Sequence, residues 1–485
     1  MDGLSLQIIN RNCEFLPAYM DEITFDAVQD LLKVYNSLTG PVQKVVTHYG
    51  MLGGTPCYTG YSDCFNLDNV MKKLSGMTYN FGLKKTLHAG GKGVSLSDMF
   101  LGSLGEAVER AIGGFAFFNK KDEIVYGSYK DLVNGGTHCI HPDELLLFAN
   151  EQFKNGMPYS RFTENSYLGW VKGKRLISGE EIYVPAQMVM MVYLRKPNEQ
   201  SIGYATSGGM ACHVDWETTI YQCICELIER DAINLRWVCG IPPERIVFDE
   251  GHIKSPRLKD LISSFEKSPL NLRFYYNSMD IKEVSVIAVV AIQSWFEKYA
   301  FLAGGGGDVD IERAIEKAIA EFVQSERNLN VALLCPDRSH GRSIDRTFGI
   351  DKDAPESKLD VFFKIVIYYG YSKNIKNLEW YLNAKDSILS SKIPSKENRN
   401  GKGQYNFIRE VAKNHHFDPI CFDFTPPYFK QLRLLKVFIP ELTHPFIAAY
   451  PYLGHRRYLE LPKKMGIMEK NLTFKDLVKL PLPYP

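Results

Sequence analysis

The chain has 485 residues, 45% of them hydrophobic and 23% charged, with 57 Lys and Arg set against 56 Asp and Glu. That length and apolar content can bury a large core, as two or three domains or as one large domain with insertions. The near-zero net charge provides no sequence-wide field for nucleic acid or an anionic membrane, so any charged ligand must be held by a local site. The opening residues Met1, Asp2, Gly3 and Leu4 lack a basic segment followed by an apolar one, and no window reaches the apolar length that spans a bilayer. A cytoplasmic protein is expected.

In chain order, Thr24 to Leu38 forms a short amphipathic helix in an N-terminal region, residues 1 to 80, that carries no readable module. A helix from about Ser97 to Phe118 follows Gly90, Gly91, Lys92 and Gly93. Next come a strand-like run from Ile182 to Leu194 and a helix from about Glu217 to Trp237, approached by Ser207, Gly208 and Gly209. Another strand-like run, Val284 to Ile292, precedes Gly304 to Gly307 and a helix from about Ile311 to Leu329. Polar stretches from Pro336 to Asp360 and from Ser390 to Gly403 read as surface insertions, with function to be sought elsewhere. Strand-like runs at Ile420 to Phe424 and Leu435 to Ile439 complete a mixed, α+β class. The ten cysteines form no CxxC pair and read as reduced core residues, and His415 and His416 read as solvated.

The sequence holds no GxxxxGK[ST], no GxGxxG between a strand and a helix, and no HExxH. What it holds is a pair of acidic or amide side chains three apart on each of the three helices: Glu106 and Glu109, Glu226 and Glu229, Glu321 and Gln324. Three apart on a helix means one shared face. One such pair taken alone is most often a solvated face. These helices are apolar on most sides, however, and buried carboxylates need a basic partner or a metal. Carboxylates converging from three helices suit two Mg²⁺ ions clamping a triphosphate. The preceding glycines would let backbone N–H groups approach phosphates, or would simply make turns.

These residues resemble the YcaO superfamily from about Asn80 onward. Gly91-Lys92-Gly93 followed by Ser103-Leu104-Gly105-Glu106-Ala107-Val108-Glu109-Arg110 is similar to its first motif, Glu226 to Ala232 to its ELIERDA motif, and Glu321-Phe322-Val323-Gln324-Ser325 to its ExxQSR helix. Two positions depart from the pattern: Gly208 stands where an Asn is common, and Glu326 where an Arg is expected. The resemblance implies mixed sheets packed with helices, with ATP and Mg²⁺ bound between the helices that carry the paired glutamates. By the same resemblance, Glu106, Glu109, Glu226, Glu229 and Glu321 hold Mg²⁺-ATP, Lys92 and Arg230 meet phosphate oxygens, and Ser103 and Gln324 hydrogen-bond the nucleotide. For Arg230 an ion pair with Asp231 or Glu226 is an equal alternative.

Tyr458 to Met468 and the closing Pro481-Leu482-Pro483-Tyr484-Pro485 resemble the azoline-forming branch with its PxPxP end. That branch turns Cys, Ser or Thr of a ribosomally made precursor peptide into thiazoline or oxazoline rings by phosphorylating the backbone amide oxygen. A catalytic domain over residues 81–460 and a tail over 461–485 are expected. The three prolines make a stiff strut that can deliver a terminal carboxylate to a fixed place. The resemblance implies that this place is the active-site mouth and that the carboxylate is that of Pro485, and deleting the strut is expected to change thermal stability little. The implied partners are the precursor peptide and a separate leader-binding protein, ubiquitin-activating-enzyme-like or RRE-containing, with a flavin dehydrogenase and a homodimer left open. A YcaO enzyme forming thioamides or amidines, and a non-catalytic nucleotide-binding scaffold, are the alternatives.

Overall fold

The structure is a computed structural model that describes residues 22–38, 40–48, 57–64, 67–76, 89–93, 95–154, 156–266, 271–292, 301–334, 350, 352–360, 362–396 and 401–484. Its architecture is α+β, with three sheets and helices packed between and outside them. Helix α1 (Glu22–Val34) precedes a small antiparallel sheet of β1 (Val42–His48), β2 (Tyr58–Cys64) and β3 (Ala89–Gly93). The Gly-Lys-Gly segment is therefore strand, with Lys92 opposite Thr59, and it joins this motif to residues before position 80. Helix α2 (Leu96–Ala107), capped by the Ser95 side chain accepting from Asp98 N–H, lies directly on this sheet. A Cβ at Gly91 would stand 2.0 Å from Met99 O and 2.1 Å from Ser103 Oγ. Only glycine permits that approach.

The second sheet has the order β4 (Val125–Gly127), β5 (Leu168–Arg175), β13 (Ile420–Asp423), β14 (Arg433–Phe438), β7 (Met210–His213), with β6 (Glu181–Pro185) on β5. The strand expected to run on to Leu194 stops at Pro185, whose ring cannot donate to a ladder, and a 3₁₀ turn at Ala186–Met188 follows. The third sheet is β11 (Phe301–Asp308), β10 (Ser285–Ile292), β9 (Asn271–Tyr276), β8 (Glu244–Val247) and β12 (Ser387–Leu389), antiparallel except at β8–β12.

Helix α3 (Trp216–Val238) runs between the two larger sheets, touching β7 and β14 on one side and β10 and β11 on the other. It is buried almost all round, including Tyr221, Trp237 and Leu235. Each large apolar side chain so buried contributes about 1.5–3 kcal/mol. Helix α4 (Ile311–Leu334) covers the opposite face of β10 and β11. The glycines of β11 make both contacts possible. Added Cβ atoms at Gly304 and Gly306 would stand 2.3 Å from Phe322 N and Ala314 O of α4, whereas one at Gly307 would stand 2.9 Å from Glu229 Cβ of α3. Gly304 to Gly307 are thus the middle of an edge strand, not a turn.

The polar stretches also hold more structure than expected. Residues 335–349 and 397–400 lie outside the described residues, but Ser387–Leu389 pairs with β8, and Gly401 to Gly403 open helix α5 (Gly401–Asn414), which packs on α3. After helix α6 (Arg456–Lys464) the tail returns to the core. Val478 N–H donates to Val238 O at 2.8 Å, Trp237 Nε1–H to Leu480 O at 2.8 Å, and Tyr369 OH to Pro481 O. Leu482 and Tyr484 are buried, and Tyr484 OH donates to Tyr381 OH at 2.9 Å. The eight described cysteines are free thiols, and no described helix is long and apolar enough to cross a membrane.

Candidate active site

Helices α2, α3 and α4 converge on a cavity of about 1580 Å³, lined by all five glutamates singled out in the sequence together with Lys92, Arg230 and Gln324. Glu106 lies in the last turn of α2. Glu109 lies in a six-residue π-helical segment, Val108–Gly113, where a continuous α-helix to Phe118 was expected. The widened turn sets Glu109 against β7, and such π segments are frequent at functional sites.

Four of the glutamates share one device. Each has an oxygen fixed by a backbone N–H: Glu106 Oε2 by Gly90 at 3.1 Å, Glu109 Oε1 by Cys212 at 2.8 Å, Glu226 Oε2 by Gly209 at 3.1 Å, and Glu321 Oε2 by Gly305 at 2.7 Å. Three of those donors are the glycines noted in the sequence. They orient carboxylates. The last also caps an outward N–H of edge strand β11, which would otherwise be an open pairing site.

The charge balance leaves part of this cluster wanting a cation. Burial, reinforced by Glu106 and Glu226, pushes Glu109 up to about 8 against the N–H bond from Cys212. Burial, with Glu321 and Glu226 adding repulsion, raises Glu229 to about 7 although Arg230 opposes it. Glu321 differs: burial alone would raise it, but Lys92, Arg230 and Gly305 N–H together hold it below the ordinary value. Lys92 Nζ is 3.1 Å from Glu321 Oε1, Arg230 Nη2 is 3.6 Å from Glu229 Oε1, and Arg110 Nη2 is 3.5 Å from Glu106 Oε1. Among the described residues no three His, Cys, Asp or Glu side chains come close enough to hold a metal by themselves. A donor set of carboxylates held apart in pairs fits Mg²⁺, which fills its shell with water and phosphate oxygens.

Among the described residues Arg230 forms its ion pair with Glu229, not with Asp231 or Glu226, although the charges of Glu321 and Glu226 also act on it. Asp231 instead accepts from Thr443 N–H at 2.8 Å and Arg457 Nη2 at 2.6 Å, and Arg457 reaches on to Asp280 at 2.8 Å. It anchors the segment that continues into the cavity wall at Pro445 and Phe446. The same wall explains a departure from the family pattern: a Cβ at Gly208 would stand 2.5 Å from Pro445 Cγ, so an Asn does not fit there. Gln324 Nε2 packs over Gly90, 2.0 Å from where a Cβ would be, and lines the cavity. Ser103 is fully buried beneath Gly91, its hydroxyl 3.8 Å from Met99 Sδ, and does not line the cavity. His415 meets Glu283 at 3.0 Å, away from the cavity. Pro485 lies outside the described residues, but Leu482 and Tyr484 line the cavity.

Arg110 and Lys317 also line the cavity without having been assigned a role. Lys317 Nζ joins Asp308 Oδ2 at 2.8 Å, Gly307 O at 3.0 Å and Gln222 Oε1 at 3.1 Å. The available signal was its position four residues before Glu321 on the same helix face. Asp360, at the end of a stretch read as surface insertion, reaches the cavity as well.

Residues 90–443, well over half of the chain, match the family described as YcaO cyclodehydratase, ATP- and Mg²⁺-binding. The chain belongs to this family. Its fold is similar to a heterocyclase solved in complex with substrate and cofactor, with TM-score 0.71 and 18% identity over 97% of this chain and 59% of that one. It is similar to YcaO from Methanopyrus kandleri bound with AMPPCP and Mg²⁺, with TM-score 0.54 and 17% identity over 87% of this chain and 90% of that one. It also resembles the E. coli microcin synthetase McbBCD complex with pro-MccB17 bound, with TM-score 0.56 and 13% identity over 93% and 98% of the two chains. An uncharacterized protein from Methanothermobacter thermautotrophicus is 24% identical over 236 residues, 48% of this chain and 56% of that one. The chain thus spans little more than half the length of this relative and of the first heterocyclase.

Proposed function

We propose that the chain is an ATP-dependent peptide cyclodehydratase that closes Cys, Ser or Thr side chains of a precursor peptide onto the preceding backbone carbonyl as thiazoline or oxazoline. The observation that carries this reading is the cluster of five glutamates from three helices, four held by backbone N–H groups, with Glu109 and Glu229 raised by burial and mutual repulsion. Mg²⁺-ATP, when bound, supplies the phosphoryl group that makes an amide oxygen a leaving group. Glu106, Glu109, Glu226, Glu229 and Glu321 hold the metal. Lys92 and Arg230, now paired with carboxylates, turn to phosphate oxygens, and Arg230 serves as the catalytic cation facing the transferred group. Gln324 hydrogen-bonds the nucleotide, whereas Ser103 acts through the backbone of Gly91.

The peptide lies along aromatic side chains of the cavity lining such as Tyr204 and Phe446, and the carboxylate of Pro485 orients it. Leader recognition falls to a partner protein, in keeping with the multi-protein assembly of the E. coli microcin synthetase. Catalysis here is positioning and charge neutralisation. Glu226→Gln and Glu229→Gln each remove a ligand charge without removing core volume, so each variant should fold normally by circular dichroism and lose ATP turnover. Wild-type turnover in either variant would sink the metal assignment.

A further inference from the structure

Lys436 stands on β14 beneath the floor of the cavity, 3% exposed. Its ammonium donates to Thr206 O at 2.8 Å and to Gly208 O. Between and beyond those two carbonyls lies the turn that ends in Gly209, whose φ of 74° is left-handed and whose N–H holds Glu226 Oε2 at 3.1 Å. We propose that Lys436 is a positioning residue of the nucleotide site: by clamping two carbonyls of the Thr206–Gly209 turn it aims the Gly209 N–H at Glu226 and so fixes that metal ligand. The inference rests on the Mg²⁺-ATP reading above and adds a residue to it.

Simple loop anchoring does not require an ammonium there. Val437 N–H already donates to Gly209 O at 2.7 Å, and Met210 N–H to Ser207 O at 2.8 Å. Burying a cation against neutral carbonyls is costly. Burial holds the pKa of Lys436 down to about 8, with the charge of Glu226 the first influence to offset it. What the ammonium adds is orientation: two carbonyls drawn to one point set the peptide planes between them, whereas the side-chain bond within the turn, Gly208 N–H to Thr206 Oγ1 at 3.3 Å, reaches only the N–H before Gly209. A partner that orients a metal ligand from behind typically changes metal affinity by about 10-fold to 100-fold when removed.

The test uses the full chain, the non-hydrolysable nucleotide AMPPCP with Mg²⁺, and the variants Lys436→Met and Lys436→Arg. Calorimetry should show Mg²⁺-AMPPCP binding weakened about 10-fold or more in K436M and largely restored in K436R, which keeps the charge and the donors. Hydrogen exchange of the nucleotide-free proteins should be faster in K436M at residues 206–212 and unchanged at α4. A folded K436M that binds with wild-type affinity would overturn the proposal and leave the ATP reading intact. So would K436M and K436R losing affinity and thermal stability alike, since that outcome marks packing. Wild-type protein that bound no Mg²⁺-AMPPCP would sink the ATP reading and this proposal with it.

Discussion

Glu109 and Glu229 carry the clearest prediction at the scale of single residues. Both are raised from the ordinary 4.5, to about 8 and about 7, chiefly by burial. Between the ordinary value and those values the folded chain keeps protons that the unfolded chain has released. Their contribution to stability is therefore complete below about pH 4.5 and is lost as pH rises through about 7 and 8. Metal binding needs the deprotonated forms, so Mg²⁺-nucleotide affinity should rise over the same window. Thermal unfolding of the metal-free chain from about pH 5 to 8 should fall more steeply for wild type than for a Glu109→Gln, Glu229→Gln double variant. Equal slopes would remove the two carboxylates from the account. The glutamates were legible in sequence because their spacing and apolar neighbours are local facts. The clamp of Lys436 was not, because it depends on a turn that folding brings in from elsewhere. The partner of Arg230 was not, because spacing alone does not say which of several nearby carboxylates on its own helix the guanidinium turns to.

At the scale of elements, strand β11 shows where local signals mislead. Four consecutive glycines are a turn signal, yet Gly304 to Gly307 lie in an edge strand pressed between α3 and α4. The two faces of that strand make opposite predictions. Gly306→Ala would place a Cβ 2.3 Å from Ala314 O, a backbone atom that cannot step aside, and should destabilise the fold by about 1–3 kcal/mol in denaturant unfolding. At Gly305 a Cβ would meet side chains and no backbone, Glu229 Oε1 at 3.1 Å, Ile233 Cδ1 at 3.5 Å and Glu321 Oε2 at 3.6 Å. Gly305→Ala should therefore keep stability while weakening Mg²⁺-nucleotide binding. A reversed pattern would mean that the strand is not seated as described. The helix Trp216–Val238 was read to within one residue at each end, whereas Ile311–Leu334 starts where expected and runs five residues past Leu329. The π segment after α2 was invisible because it alters the turn without altering the apolar pattern.

Across the whole molecule, the layered order of sheet, α3, sheet and α4 gathers three distant stretches of sequence at the edge of β11. The α+β class was legible from the alternation of strand-like and helical runs, whereas the order of the strands was not, since β13 and β14 return between β5 and β7 over more than two hundred residues. The tail is a correction on the same scale. It was expected to be a strut whose loss leaves stability alone, but Leu482 and Tyr484 belong to the main core with Tyr369 and Tyr381. A deletion variant therefore reports packing as well as chemistry, and only residues added after Pro485 separate the two.

The central claim is that the glutamate cluster directs ATP onto a backbone amide oxygen, and it is tested most directly by following that oxygen. A Cys-, Ser- and Thr-rich peptide with heavy oxygen in its backbone carbonyls, supplied with a leader-binding partner, ATP and Mg²⁺, should lose one water per ring while the heavy oxygen appears in the released phosphate. Ring formation with unlabelled phosphate, or ATP turnover that leaves the peptide mass unchanged, would contradict it.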